Sequence, residues 1–472
     1  MPVLKLLLPI LALLAPFASA EEAAAPRSAD LIVRGDYVLT MAPETPLISD
    51  GAVVVENGVI VAVGAWAEIE ASYRAPETLP GAGRILMPGL INGHTHTSMT
   101  LFRGMVDDLD LMTWLNQYVF PMEGRFVDPE FVRIGTELAC WEMIQGGTTS
   151  FVDMYFYPEV IAQVVVDCGL RAVVAAPHID FPSPGFKGWD DSFAAAIAFV
   201  KAWQGRNPRI TPAFAPHAPY TVSPEHIAMT AAVAGELNAP VSMHLAEAPS
   251  ETEYIWERYE TSPIQHVNTT GLFEDRVIGA HMVQLDQADI ELVASKGVGA
   301  IHNPTSNMKL GAGVAPVVAM LEAGVNVGLG TDGAASNNDL DMWEEIRLAA
   351  LLHKLKSADP TAIPAPTALA MATRLGAAAT GLDAVTGSIK PGLQADLIQV
   401  DFTRTRQQPL YDVPSHLVYV LDSQDVVTTI VAGRILMRER QVLTIDEAAL
   451  RRAVQRKREE IRKALAASEN RS

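Results

Sequence analysis

Three features of the amino-acid sequence predict an α/β fold, a (β/α)8 barrel of the TIM type carrying a small β-sandwich domain formed by N- and C-terminal segments. Between about residues 88 and 386, apolar strand-like runs alternate with helical patterns, the texture of a parallel sheet covered by helices. Runs at 148–153, 171–176, 210–215, 241–244, 277–281, 299–303 and 325–330 join the strand at 85–91, ahead of His94, to make eight. Blocks rich in strand formers then recur near both ends of the chain.

Taken from the N-terminus, Lys5 precedes an apolar run at 6–17, and Ala18, Ser19 and Ala20 follow, the layout of a secretory signal peptide over 1–20. The run is shorter than the roughly 20 residues that span a bilayer and is broken by Pro9 and Pro16. Export to a periplasmic or extracellular location is therefore expected, without stable membrane insertion after signal removal. Without a working signal the protein would stay cytoplasmic. Segments 31–38 and 52–63 cluster β-branched residues around Gly and Asn turns, and 395–400 and 426–437 repeat that texture. The expected division is 30–87 and 387–445 for the two parts of the small β domain, 88–386 for the barrel, and a charged C-terminal helix at 446–472 as a solvated surface element.

Hydrophobic residues make up 49% of the 472 and charged residues 19%, so the chain reads as globular. A net charge of −20 argues against nucleic acid as a partner, because binding a phosphate backbone depends on Lys and Arg releasing counterions. Cys140 and Cys168 each fall in an apolar helical stretch and read as small buried hydrophobes, with a disulfide between them left open. Their spacing is not that of a thiolate metal site. The apolar stretch at 105–115 is the candidate surface for a homo-oligomer.

Active sites of such barrels lie where the strands end, so polar residues at strand ends carry the first functional reading. His94 and His96 stand at alternate positions of an extended strand end, so both imidazoles can reach one ion. His244, His281 and Asp332 follow the fifth, sixth and eighth predicted strands. Imidazole nitrogens with one carboxylate oxygen suit one divalent ion, Zn²⁺ ahead of Fe²⁺, and not Mg²⁺.

The run Pro88-Gly-Leu-Ile-Asn-Gly-His-Thr-His96, with His244-Leu-Ala-Glu247, His281 and Gly330-Thr-Asp-Gly-Ala334, resembles the amidohydrolase superfamily over nearly the whole mature chain. Finer strings resemble the 5-methylthioadenosine/S-adenosylhomocysteine deaminases and their relatives. They are the run at 99–109, Pro121-Met-Glu123, Pro216-His217-Ala-Pro-Tyr-Thr221 and the run at 302–311. The resemblance implies metal ligation by His94, His96, His244 and Asp332, substrate contacts by Glu123 and His217, and proton transfer by Glu247. It implies a small-molecule nucleoside substrate, hydrolysed at a C–N bond of its ring to an inosine-type product and ammonia.

Chemistry leads to the same assignment. Replacing a ring amino group by oxygen needs a nucleophilic hydroxide, which a catalytic metal generates, and a positioned acid such as Glu247 to protonate the ring. Asp332 is cast both as ligand and as acceptor of the water proton, and His281 as a group that orients the nucleophile. A site with one ion is expected, because relatives with two place a bridging lysine after the fourth strand, where this chain has Pro216 and His217. A surface ion pair with Arg125 competes with the ribose role of Glu123. Asn303, Asn307 and Lys309 are expected to play structural parts near the site. His178, His226, His266, His353 and His416 show no convergent spacing.

Two departures bear on the substrate. Relatives that accept S-adenosylhomocysteine can carry arginines before the fourth strand, whereas 181–191 holds only Lys187, a point charge without the bidentate fork. Ala248 and Pro249 follow Glu247 where the family has Thr or Ser. Adenosine itself is thus a candidate substrate. The rival readings are a triazine-type or other aromatic amidohydrolase, an amidase, and a non-catalytic barrel, the last disfavoured by the full set of metal and proton-transfer groups.

Overall fold

The computed structural model describes residues 26–274 and 276–469; the signal peptide expected over 1–20 lies outside the described residues. Eight parallel strands form the barrel: β1 Leu90–Thr95, β2 Thr148–Met154, β3 Arg171–His178, β4 Ile210–Pro216, β5 Val241–Leu245, β6 Val277–His281, β7 Gly299–His302 and β8 Val327–Leu329. Each pairs with its sequence neighbour. Between β8 and β1 the chain is fastened by the Asp332 N–H donating to His94 O at 2.9 Å, and by Asn92, whose side chain accepts from Thr331 N at 3.0 Å and donates to Thr331 Oγ1 at 2.7 Å.

The barrel lumen is packed, not open. Ile91, Val152, Val173, Ala213, Ile278 and Ile301 point into it, the alternate residues of their strands. Ala377 and Ala379, from the short helix Arg374–Thr380, close the floor. Two glycines permit close approaches here. A Cβ on Gly299 would lie 1.9 Å from Ala379 O, and one on Gly89 would lie 2.1 Å from the Thr149 side chain.

The run at 85–91, read from the sequence as one strand, is divided between two sheets. Arg84–Pro88 pairs antiparallel with Leu397–Asp401 in the small domain, and only Leu90–Thr95 enters the barrel. Pro88 and the bare backbone of Gly89 are where the chain changes sheets, because the Thr149 side chain leaves no room for a Cβ. The small domain is one sheet in which Leu31–Leu39, Leu47–Glu56, Val59–Ala65 and Arg84–Pro88 meet Leu397–Asp401, Val426–Val431 and Arg434–Arg438. Val53 and Ile60 from one end share a cluster with Leu397 and Ile430 from the other, the packing of a small sandwich. Arg171, at the start of β3, donates to both oxygens of Asp396 at 2.8 and 3.1 Å and ties the barrel to this sheet.

The C-terminal helix Glu447–Glu469 is more than a solvated element. Leu450, Ala453, Lys457 and Ile461 are buried at spacings of three and four, and the helix packs on Pro129–Gly146. Cys140 and Cys168 are both buried thiols. No helix among the described residues is long and apolar enough to cross a membrane.

Replacing Gly299 by Ala should force the floor helix off the strands and cost about 1–3 kcal/mol. A fall in the urea midpoint at unchanged slope is the expected reading, and an unchanged midpoint would disprove the packing described.

Candidate active site

The strand ends deliver His96, His244, Glu247, His281 and Asp332 to one cleft at the C-terminal mouth of the barrel, with Glu123 and His217 in its walls. The empty space there, counted together with the open solvent at its mouth, is about 610 Å³. His94 lies beneath it with no exposure to solvent. The pairing of β1 with β2 shifts register between Asn92 and Thr95, an irregularity of the kind that re-aims side chains at barrel rims.

Four donor atoms converge. His94 Nε2 and His96 Nε2 lie 3.3 and 3.2 Å from Asp332 Oδ1, and His244 Nε2 lies 3.2 Å from His96 Nε2. Donors about 2.0–2.1 Å from a tetrahedral centre stand roughly 3.3 Å apart, so these spacings fit a single ion of zinc's size. The ring nitrogens of His94 are buried without hydrogen-bond partners, as expected of a residue whose lone pair is meant for a metal. His281 falls within the same radius, with Nε2 4.0 Å from Asp332 Oδ2.

Outer contacts orient this set. His96 Nδ1 donates to Met154 O at 2.6 Å and His244 Nδ1 to His217 O at 2.9 Å, which turns each Nε2 inward. Asp332 Oδ2 accepts from the hydroxyls of Ser306 and Ser336 at 2.7 and 2.9 Å, and Oδ1 from Gly333 N at 2.8 Å. Asn307 Oδ1 sits 2.8 Å from His281 Nδ1 and makes that nitrogen the donor. Burial holds His94 down at about 4. Burial also opposes charging His96, but the hydrogen bond and charge of Asp332 outweigh it and raise that ring to about 9. Asp332 stays well below the carboxylate range despite its burial, because the His94 and His96 rings beside it favour its charged form.

Glu247 follows β5 and precedes the helix Pro249–Tyr259. Ala248, at the N-cap, makes no side-chain cap bond. The task falls to Glu251, whose carboxylate accepts the N–H groups of Ala246 at 2.9 Å and Glu247 at 2.8 Å. Glu251 therefore stiffens the loop that the Ala248-Pro249 departure put in question. Nothing singled it out in the sequence except its place in the first turn of a helix, where an acidic residue can reach back to free amides. Burial raises the carboxyl of Glu247, so its neutral, proton-donating form is favoured, and Oε1 lies 3.8 Å from His281 Nδ1.

Glu123, on the short helix Phe120–Phe126, is 4% exposed, and burial pushes it up to about 7. The competing surface pair with Arg125 does not form, because Arg125 donates instead to Ala464 O at 2.7 Å. His217 Nδ1 bonds Thr221 Oγ1 at 2.9 Å, and burial lowers the ring to about 3, so it is neutral. Leu111, Trp114, Leu115, Phe120 and Phe156 make much of the wall apolar. Glu123 also borders a second compartment formed with Val127, Phe181, Pro182, Ser183 and Pro184, and no cationic side chain among the described residues lines it. Lys187 is exposed outside that lining.

The remaining residues fall away from the cleft. Lys309 bonds Asn338 Oδ1 at 2.9 Å and pairs with Asp107, a structural clasp. His178 bonds Thr230, His226 pairs with Asp180, His266 stacks on Tyr259, His353 packs against His302, and His416 bonds Gln407 O. Besides Glu251, sequence reasoning passed over Ser306, Ser336 and Tyr155, isolated polar residues whose spacing carries no signal.

Comparison with known proteins is consistent with this geometry. The amidohydrolase family pattern matches residues 85–436, and a bacterial imidazolonepropionase-like composite domain matches 51–75. A 5-methylthioadenosine/S-adenosylhomocysteine deaminase of Pelotomaculum thermopropionicum is 44% identical over 91% of this chain and 98% of its own. A 5'-deoxyadenosine deaminase of Methanosarcina mazei is 44% identical over 92% and 98%. The structure of an adenosine deaminase from Xanthomonas campestris with bound zinc superposes with a TM-score of 0.91 at 41% identity, covering 93% of this chain and all of that one. A triazine hydrolase from Arthrobacter aurescens, 22% identical with a TM-score of 0.83 over 91% and 99% of the two chains, shares the fold. On this extent of similarity, the chain belongs to the amidohydrolase family.

Proposed function

We propose that the protein is a hydrolytic deaminase of adenosine-type nucleosides, using one divalent ion, Zn²⁺ ahead of Fe²⁺, held by His94, His96, His244 and Asp332. The observation that carries this reading is the shared cleft, in which the donor cage, a buried acid and a buried sugar-side carboxylate face the same space. When bound, the ion lowers the pKa of a water toward neutrality and so supplies the nucleophile. Glu247 gives its proton to the ring nitrogen next to the carbon under attack. Asp332 takes the proton of the attacking water and passes it to the leaving amino group, which departs as ammonia. His281, fixed by Asn307, orients the nucleophile, and neutral His217 offers the base a hydrogen bond. Glu123 accepts from the two ribose hydroxyls with its two oxygens.

With the base at the cage and the ribose at Glu123, the 5' substituent runs on into the compartment walled by Phe181, Ser183 and Pro184. Without a cation there, a terminal carboxylate finds no charged partner, so uncharged 5' substituents suit the site better than homocysteine. The triazine-type alternative has less support, since that likeness is one of fold. We also propose export, on the strength of Lys5, the apolar run at 6–17 and Ala18-Ser19-Ala20.

Glu247→Gln should keep its metal, read by elemental analysis, yet lose about 10²- to 10⁴-fold in ammonia release from adenosine. Activity at the wild-type level would remove Glu247 from the mechanism. Across a panel with a chelated control, adenosine, 5'-deoxyadenosine and methylthioadenosine should exceed S-adenosylhomocysteine in kcat/KM by at least about tenfold, the worth of one missing charge-assisted hydrogen bond. Equal rates would refute the charge-free compartment, and turnover of a chlorotriazine alone would refute the deaminase reading. N-terminal sequencing of protein recovered outside the cytoplasm should start at Glu21; recovery of the intact chain only from the cytoplasm would contradict export.

A further inference from the structure

Tyr155 is placed one residue past the end of β2, its ring 6.2 Å from that of His96 and 5.3 Å from that of Phe156. It is 2% exposed, and its hydroxyl is buried with no hydrogen bond of normal geometry to any described group. A buried O–H left unmatched costs free energy, so such a group in a cleft wall calls for an account of what it serves. The group it faces is the Glu123 carboxylate, in the wall of the same cleft. Glu123 arrives from a different element, the helix Phe120–Phe126, so the pair bridges the rigid barrel rim and the irregular segment over the mouth.

We propose that Tyr155 is a positioning residue for the sugar end of the cleft: as substrate seats, its hydroxyl donates to one Glu123 oxygen and sets the carboxylate to accept both ribose hydroxyls. The count of donors and acceptors allows it. The phenol has one proton to give, and each carboxylate oxygen has two lone pairs, so one oxygen takes Tyr155 and one ribose O–H while the other takes the second ribose O–H. The donated bond also opposes the effect of burial, which otherwise favours a protonated Glu123 that could accept fewer bonds. If Tyr155 served only as packing, its ring would suffice and the hydroxyl would have no effect.

This inference rests on the nucleoside reading of the site, and a double-mutant cycle separates the two. Wild type, Tyr155→Phe, Glu123→Gln and the double variant are assayed on adenosine and on 2',3'-dideoxyadenosine, which lacks the diol. Tyr155→Phe is expected to lower kcat/KM for adenosine about tenfold, chiefly through KM, as for loss of a hydrogen bond to a charged group. The loss on adenosine should exceed that on the dideoxy compound by the same factor, and nearly vanish once Glu123 is already Gln. Equal losses on both substrates, or losses that multiply in the double variant, would overturn the role of Tyr155 while leaving the deaminase reading intact. Failure of the metal-loaded wild type on adenosine and every related nucleoside would overturn both.

Discussion

Closure of the barrel between β8 and β1 is the constraint on which the site depends. The donor atoms come from residues as far apart in sequence as His94 and Asp332, and they stand 3.3 Å apart only because the two strand ends meet. The meeting is enforced at the backbone, where Asp332 N–H donates to His94 O at 2.9 Å, and one step below it by the paired bonds of Asn92 with Thr331. Asp332 itself sits at φ +63, a left-handed conformation that a residue without a special reason avoids. The conformation is what turns the carboxylate inward while its amide still closes the barrel. Ligand geometry and barrel closure are thus one piece of structure.

The second consequence is electrostatic. Gathering several imidazoles and two carboxylates in a buried mouth is costly unless each group is bonded or meets a cation. The structure meets that cost unevenly. His96, His244 and His281 have one nitrogen each committed to a fixed partner, Asp332 is surrounded by donors, and His94 alone has both nitrogens unbonded. The Nε2 atoms of His94, His96 and His244 converge instead on the same space as Asp332 Oδ1, which is why the cage reads as a metal site and not as a structural histidine cluster.

Much of this was legible in the sequence, for physical reasons that differ by element. The barrel strands announce themselves because both of their faces are covered, so they are nearly continuous apolar runs. His94, His96, His244, His281 and Asp332 stand out because each is polar where such a run ends. The division of 85–91 between two sheets was not legible, because one apolar run looks alike in either sheet and only the close approach to Thr149 decides where it breaks. The burial of the C-terminal helix was written in the spacing of 450, 453, 457 and 461 but masked by the charge around it. Glu251, Ser306, Ser336 and Tyr155 act through atoms distant in sequence, and no local pattern marks them.

The distribution of groups over elements also explains how one scaffold can keep its reaction class and change its substrate. Everything assigned to bond making is carried by strand ends or by loops bonded tightly to them, as Glu251 ties down the amides of Ala246 and Glu247. Of the groups assigned to recognition, Glu123 and the compartment beside it lie on the irregular segment after β1, with its π-helical turn Trp114–Val119, and on the loop after β3, while His217 and Tyr155 stand just past the ends of β4 and β2. Irregular segments can be rebuilt without disturbing strand packing, whereas a shift of the cage by a fraction of an ångström would displace every donor at once. In this chain the polar groups of the walls beyond the strand-end cage are few, Glu123, Tyr155, His217 and Tyr220, so on the proposed reading recognition of the sugar is concentrated on a single carboxylate, and whatever orients that carboxylate would govern which nucleosides are accepted.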